Sequence, residues 1–354
     1  MRPINVIITG GGAPGIVGTI YSLRNNFDKR RIKIITTDIK DECVGKYLSD
    51  RFYKIPPAKD VENYKEAIYT ICKKEKIDVI IPQNTIELLT LAKEKKKLEK
   101  LGIRTLVSDV STIEITNDKA SLLNFVRENN LNPPNYYIVE SKRELIESLK
   151  LLGWPKEPVV VKLPISHGSI GTRIIDDNIE EIDLFLNHKP TSLFIRSDKF
   201  LAMFQEKIPK LIVMEYLPGD EISVDVCQVK QRFVIIPRKR IEIRSGISFI
   251  NEYYENDELI KITENLSKLL KLKHVFGIQF KIDKNKQPKL LECNPRVQGT
   301  MIYATLAGFN IIYLAIKQIL GENIDEIPKF FSKKLKLYRY WGAVGVDVNK
   351  ITVV

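Results

Sequence analysis

Glu292-Cys293-Asn294-Pro295-Arg296 holds residue types whose spacing can do chemistry. Glu292 and Asn294 are two positions apart, so on a strand they share one face. Two oxygen donors placed in this way, with Gln279 on a neighbouring expected strand, suit Mg²⁺ bridging nucleotide phosphates. That ion keeps several waters and takes few protein ligands. Arg296 lies just beyond, where negative charge developing on a transferring phosphoryl group needs a cation. A capped strand end is the plain alternative.

A second candidate is Lys162, at the end of the apolar run Val159-Val160-Val161, followed by Ser166-His167-Gly168-Ser169-Ile170-Gly171-Thr172. Loop amides beside a fixed ammonium can cover phosphates. No Gly-Lys-Ser/Thr closes the loop, so it is not a Walker loop, and a plain hairpin is the alternative. His167 fits an ordinary loop residue better than an acid–base group. A third stretch, Thr9-Gly10-Gly11-Gly12-Ala13-Pro14-Gly15, follows an apolar run and opens a helix, where amides and the helix dipole can hold an anion. Asp38 ends the next strand, as a ribose-binding acid does in a dinucleotide fold. The spacing departs from GxGxxG and Pro14 removes an amide. A tight turn, or a small anionic substrate touching Gly11, is therefore preferred to nicotinamide. Arg238, Arg240 and Arg244 follow an alternating strand, and a bidentate arginine there suits a carboxylate. Arg240 is assigned with Arg296 to the reacting groups, and Arg238 and Arg244 to the substrate; a basic solvent-facing strand is the alternative. Asn84 and Glu87 follow a strand at the carboxyl end of a parallel sheet, and Gly299 and Thr300 open a helix past Arg296. All four are substrate candidates.

The elements that must hold these residues follow from periodicity. Strands are expected at 6–9, 32–37, 78–82 and 103–107, alternating with helices through Leu23, from Asp60 and over 85–100. This rhythm predicts a parallel sheet with helices on both faces. Ser111-Thr112-Ile113-Glu114 and Ser141-Lys142-Arg143-Glu144 read as capping boxes, with a helix over 117–129 between them. Strands follow at 136–139, 158–162, 172–175, 211–216, 221–229, 232–238, 276–283 and 288–293, then one long helical stretch over 300–320. The domains expected are 1–112, 113–213 and 214–354.

Composition narrows the class. The 354 residues are 44% hydrophobic and 28% charged, a globular balance. No apolar run approaches the ~20 residues of a bilayer span. The N-terminus lacks the long apolar region of a signal peptide. Four scattered cysteines and three histidines argue against a disulfide scaffold and a His-based metal site, and fit a reducing, cytoplasmic compartment. The net charge of +12 reads as solubility and a field for anionic ligands. The densest run, Lys93 to Lys100, alternates with Glu94 and Glu99 on a helical pattern. Nucleic-acid and membrane partners are not expected.

Taken in order, Lys162 with its loop, Met214-Glu215-Tyr216-Leu217-Pro218-Gly219-Asp220-Glu221, Gln279 and Glu292-Cys293-Asn294-Pro295-Arg296 resemble the ATP-grasp superfamily. Asn117-Asp118-Lys119 fits its first nucleotide-contacting lysine. The resemblance covers nearly the whole chain and is closest to the carbamoyl-phosphate-synthase-like, carboxylate–amine ligase branch. It implies a mixed α/β and α+β fold, with an N-terminal Rossmann-like parallel-sheet (pre-ATP-grasp) domain followed by a two-part ATP-grasp fold. ATP and Mg²⁺ are the implied cofactors, with Mn²⁺ as a substitute. Lys119 and Lys162 would contact phosphates under the lid loop of Ser166, His167, Gly168, Ser169 and Gly171. Glu215, Tyr216 and Leu217 would form the adenine hinge and Glu221 the ribose contact. Gln279, Glu292 and Asn294 would hold magnesium, with glutamine replacing the usual first acid, and Arg296 would stabilise an acyl-phosphate transition state. The implied reaction joins a small carboxylate to an amine or ammonia with release of ADP and phosphate. Phosphorylation without ligation, a nicotinamide-dependent oxidoreductase and a non-catalytic ATP-binding regulator are the alternatives, and a homodimer is an open option.

Overall fold

Isoleucine and valine runs place five short strands inside the first hundred residues: β1 (Ile4–Thr9), β2 (Ile32–Asp38), β3 (Arg51–Lys54), β4 (Val79–Ile81) and β5 (Arg104–Thr105). In this computed structural model, residues 1–166, 168–189, 191–244, 246–324, 331–347 and 350–353 are described. The five strands form a parallel sheet in the order β3-β2-β1-β4-β5. Alternate residues of β1 serve opposite faces. Ile4, Val6 and Ile8 join one core with α1 (Ile16–Arg24). Ile7 joins another with Tyr64, Ile68 and Ile71 of α3 (Val61–Glu75), while α2 (Val44–Leu48) leads into β3. Burial on both faces is what makes the runs continuous. Chain order reverses between β1 and β4, so the glycine loop after β1 and the turn after β4 flank a switch-point crevice.

Several boundaries differ from expectation. The fourth and fifth strands shrink at both ends. The helix expected over 85–100 begins as a 3₁₀ turn, Thr85–Glu87, because the Asn84 side chain accepts from the Ile86 amide; α4 (Leu88–Lys100) follows. The capping box at Ser111 does not form, because α5 (Val110–Asn117) starts at Asp109 and leaves Ser111 inside its first turn. Asp118 instead caps α6 (Lys119–Glu128), accepting from the amides of Ala120 and Ser121.

The second sheet has the order β6-β10-β7-β8-β9, from β6 (Tyr136–Ser141), β7 (Val159–Lys162), β8 (Thr172–Ile175), β9 (Phe194–Ile195) and β10 (Lys207–Glu215). The Ser141–Glu144 capping box forms in both directions at the start of α7 (Lys142–Leu151). Val139, Leu145, Val161, Ile175 and Val213 give this unit a core of its own, and α8 (Glu181–Asn187) and α9 (Ser197–Ala202) complete it.

The third sheet is antiparallel: β11 (Glu221–Val229), β12 (Arg232–Arg244), β13 (Ile247–Tyr253), β14 (Val275–Ile282), β15 (Pro288–Asn294) and β16 (Lys336–Tyr338), in the order β15-β14-β11-β12-β13-β16. β12 continues six residues past the expected end, because β13 pairs with it through Arg244. α10 (Asp257–Leu269) packs on this sheet. The expected helix over 300–320 breaks at Gly308, whose φ of +101° ends α11 (Ile302–Leu306) before α12 (Ile311–Ile319). Ile311 to Ile316 are all buried, since α12 lies between the first and third sheets. No helix of the described residues is long and apolar enough to cross a membrane.

Candidate active site

Two cavities open among the three sheets and share a wall. The larger, about 860 Å³, lies between the second and third sheets. The smaller, about 280 Å³, reaches the switch-point crevice of the first sheet through Pro14, Gly15, Gln83 and Thr85. Lys119, Ser166, Gly168, Arg240, Gly246, Gln279 and Glu292 line both.

Strand ends aim most of this wall. β7 ends at Lys162, which is buried and donates to the Leu291 carbonyl at 3.3 Å. Burial, with Lys119 adding like charge, pushes its ammonium down from 10.5 to about 8; Glu292 and Glu221 oppose the fall. Lys119 is the first residue of α6, placed there by the Asp118 cap. Its Nζ donates to the Ser166 carbonyl at 2.9 Å and stands 3.7 Å from Glu292. The loop above carries left-handed backbone at Gly168, Ser169 and Gly171, with φ of +58°, +62° and +69°. Gly246, at the β12–β13 turn, faces it: a Cβ there would come within 3.5 Å of Gly168 and Ser169. His167 lies outside the described residues.

A bulge sets the opposite wall. Phe280 pairs with Leu290 and Gln279 with Glu292, which leaves Leu291 unmatched on β15. Alternation is therefore broken: Leu290 and Cys293 enter the core, while Leu291, Glu292 and Asn294 all face the cavities. Asn294 Nδ2 donates to Glu292 at 2.9 Å. Arg296 donates through Nη2 to Asn294 at 3.3 Å, through Nε to Thr85 at 3.1 Å and through Nη1 to the Val297 carbonyl at 3.0 Å. The bond to Thr85 ties this arginine to the first sheet. Burial lowers its pKa, against the pull of Glu292 and Glu87.

Val160, Met214, Leu217 and Leu291 make an apolar slot in the larger cavity. The Glu215 carboxylate accepts from the Asn135 amide at 2.7 Å and the Glu215 amide donates to the Asn135 carbonyl at 3.0 Å. Glu215, Tyr216 and Leu217 line the cavity, and Tyr216 packs under Lys281. Arg240 pairs with Glu221 and donates to the Gly246 carbonyl at 2.6 Å, with its Nε unpartnered among the described residues. Arg244 lines the same cavity, bonded to Glu242 and stacked on Phe249.

Arg238 lines the smaller cavity with its guanidinium already held. It grips Asp225 at 2.8 and 3.2 Å, Asn251 at 2.8 Å and Gln298 at 3.2 Å. Gln298 fits only because residue 277 is glycine: a Cβ there would overlap its amide at 1.6 Å. Gly299 and Thr300 also line this cavity. Three expected substrate contacts line neither cavity. The Gly11 amide donates to the Thr37 carbonyl at 2.8 Å, and Asn84 serves as a cap. Glu87 is buried against the Thr9 hydroxyl, and burial pushes its carboxyl up to about 7. Asp38 accepts from the amides of Gly12 and Lys40, so its carboxylate ties the glycine loop and does not face a ribose. Lys281, Gln83 and Gln298 line the cavities without having been singled out. Lys281 carried a signal: it stands two positions from Gln279 on one strand, hence on the same face.

The family described as ATP-grasp in the biosynthetic pathway with Ter operon matches residues 207–337, and the PylC-like N-terminal domain matches residues 6–106. The ATP-grasp family match thus covers the third sheet and the end of the second. Its relatives include carbamoyl phosphate synthase large chains. That of Clostridium acetobutylicum is 25% identical over 276 residues, covering 75% of this chain and 24% of the relative. That of Thermoplasma volcanium is 27% identical over 288 residues, covering 76% and 26%. The chain thus spans about a quarter of the length of these relatives. Among solved structures, N5-carboxyaminoimidazole synthetase from Staphylococcus aureus complexed with ADP shares the fold at a TM-score of 0.67, with 16% identity and coverage of 93% of this chain and 81% of that one. Biotin carboxylase from Campylobacter jejuni gives 0.66 at 15% identity, covering 91% and 72%.

The donors of this site suit magnesium. Glu292, Asn294 and Gln279 offer hard oxygens with a single carboxylate, and no group of three His, Cys, Asp or Glu that could hold a metal occurs among the described residues. Such a set fits an ion whose remaining ligands are waters and phosphate oxygens.

Proposed function

We propose that this chain is an ATP-dependent carboxylate–amine or carboxylate–ammonia ligase that works through an acyl phosphate and releases ADP and phosphate. One observation supports this most strongly. A cavity of nucleotide size and a smaller polar one share a wall of Lys119, Gln279 and Glu292, and Arg296 sits on the smaller side.

Adenine occupies the apolar slot, bonded to the backbone at Glu215 and Leu217, with Glu221 at the ribose. Lys119, Lys162 and the loop amides hold the phosphates and keep water out. Magnesium at Glu292, Asn294 and Gln279 would supply charge neutralisation of the outer phosphates. A carboxylate in the smaller cavity attacks the terminal phosphorus, the bond to the ADP oxygen breaks, and Arg296 receives the charge that develops on the transferring group. An amine lone pair then attacks the acyl carbon; the bond to phosphate breaks and the amine gives up a proton. Positioning supplies the rest, since no covalent enzyme intermediate is needed. The likeness to carbamoyl phosphate synthase large chains favours a second reading, in which the phosphorylated product is released without ligation.

Hydroxylamine in place of the amine tests the reaction. A carboxylate substrate should give a hydroxamate with stoichiometric ADP, and Arg296→Ala should lower turnover by about 10²–10³ while ATP still binds. AMP and pyrophosphate, or full activity in Arg296→Ala, would overturn the reading. Release of a stable acyl phosphate in the presence of every amine tried would favour the second.

A further inference from the structure

Positive charge dominates the smaller cavity. Arg238, Arg240, Arg296 and Lys119 reach its wall, and Glu292 is its one carboxylate among the described residues. Glu292 is already engaged by Asn294 at 2.9 Å and Lys119 at 3.7 Å. Asp225 and Glu221, which pair with Arg238 and Arg240, each face a guanidinium, and Asp225 is sealed behind Arg238. Arg296 donates only to neutral oxygens among the described residues. Arg238, Arg240 and Lys119 each face one of these carboxylates, so Arg296 is the cation without an acidic partner among the described residues. An ammonium group entering here meets that charge and no free carboxylate, whereas an anion meets an unpaired guanidinium.

The rest of the polar wall is neutral. Thr85, Ser223, Ser248 and Thr300 contribute hydroxyls that both donate and accept, and Gln83 and Gln298 contribute amides. The buried Gln298 Nε2 has no partner among the described residues and needs an oxygen acceptor. At about 280 Å³ the cavity lies at the low end of ligand sites, which run to about 1,000 Å³.

Resting on the ligase reading, we propose that the acid activated here is a compact hydroxy acid carrying no ammonium group, and not an α-amino acid. Its carboxylate faces Arg296, and its hydroxyls exchange hydrogen bonds with the serine, threonine and glutamine side chains. A 2-hydroxyl and a 2-ammonium group are nearly the same size, so the wall separates them by charge and not by shape.

Matched pairs test this by calorimetry on the intact chain, loaded with a non-hydrolysable ATP analogue and Mg²⁺: lactate with alanine, glycerate with serine, malate with aspartate, and 2-hydroxyglutarate with glutamate. At least one hydroxy acid should bind about tenfold or more tighter than its amino partner, since like charges facing each other are strongly disfavoured. An amino acid binding as tightly as its hydroxy partner, or no hydroxy acid binding at all, would overturn the proposal. The ligase reading fails separately. A hydroxy acid that binds but gives neither ADP nor hydroxamate with ATP sinks that reading and leaves the substrate class standing, whereas a hydroxamate from an amino acid alone does the opposite.

Discussion

At the residue scale, charge and burial together define what Lys162 does. Its pKa of about 8 in the free protein means that the ammonium fades as pH rises through 8, and ATP affinity should fall with it. Phosphates restore the charge, so binding near pH 8 should take up a proton, seen as a buffer-dependent heat. Lys162→Met should weaken ATP binding by tenfold or more, for a charge-assisted contact worth about 1.5–3 kcal/mol; unchanged affinity in a folded variant would mean that the phosphates lie elsewhere. Glu87 carries the opposite sign. Its folded pKa of about 7 exceeds the unfolded value of 4.5, so the folded state holds the proton more tightly and stability falls as pH rises through that window. Glu87→Gln should therefore raise the melting temperature at pH 8 and leave it unchanged near pH 4. Spacing alone revealed that Glu292 and Asn294 share a face and that Lys162 ends a strand. It could not reveal where the Gly11 amide goes, because its acceptor is Thr37 on the neighbouring strand, nor that Arg238 is held by Asp225 across a hairpin. Such partners are chosen by tertiary register.

At the element scale, the bulge at Leu291 and the glycine at 277 shape the site. Gly277→Ala would displace the Gln298 side chain and loosen one of the bonds that hold Arg238. Overpacking of this kind costs about 1–3 kcal/mol. The expected outcome is a lower denaturation midpoint and a raised KM for the acid, with ATP affinity kept; an unchanged KM would show that Gln298 does not touch the substrate. Thr172–Ile175 and Glu221–Val229 are legible to the residue, the first as a short β-branched run and the second by its alternation of apolar and polar positions. The bulge is not, because one unmatched residue in an apolar run leaves no compositional trace. β13 and α10 carry no such signal: β13 sets its apolar positions among Ser248, Asn251 and Glu252 without a regular alternation, and those of α10 are diluted by charged ones.

At the scale of the whole molecule, the cores divide the chain unevenly. One face of the second sheet is filled by residues 139–213 alone, while Tyr136, Ile212 and Met214 on the other pack with Ala120 and Leu123 of α6. That first face should open most readily, and hydrogen exchange there should slow most when nucleotide bridges the sheet to the third. ATP with Mg²⁺ should raise the melting temperature by mass action, and NAD or NADP should not. Equal exchange across all three sheets would contradict the division. The first and third sheets behave differently, because one core joins Ile4, Val6, Ile16 and Leu23 to Tyr303 and Ile311–Ile316. On the ribosome, α1 covers that side of the N-terminal sheet early, but the apolar side of α1 must wait for almost three hundred further residues before α11 and α12 emerge. At about 5–20 residues per second that is roughly 15–60 s of exposure. Apolar surface exposed for that long is prone to aggregate, so a chain with this layout is most vulnerable during its own synthesis, however stable the finished protein is.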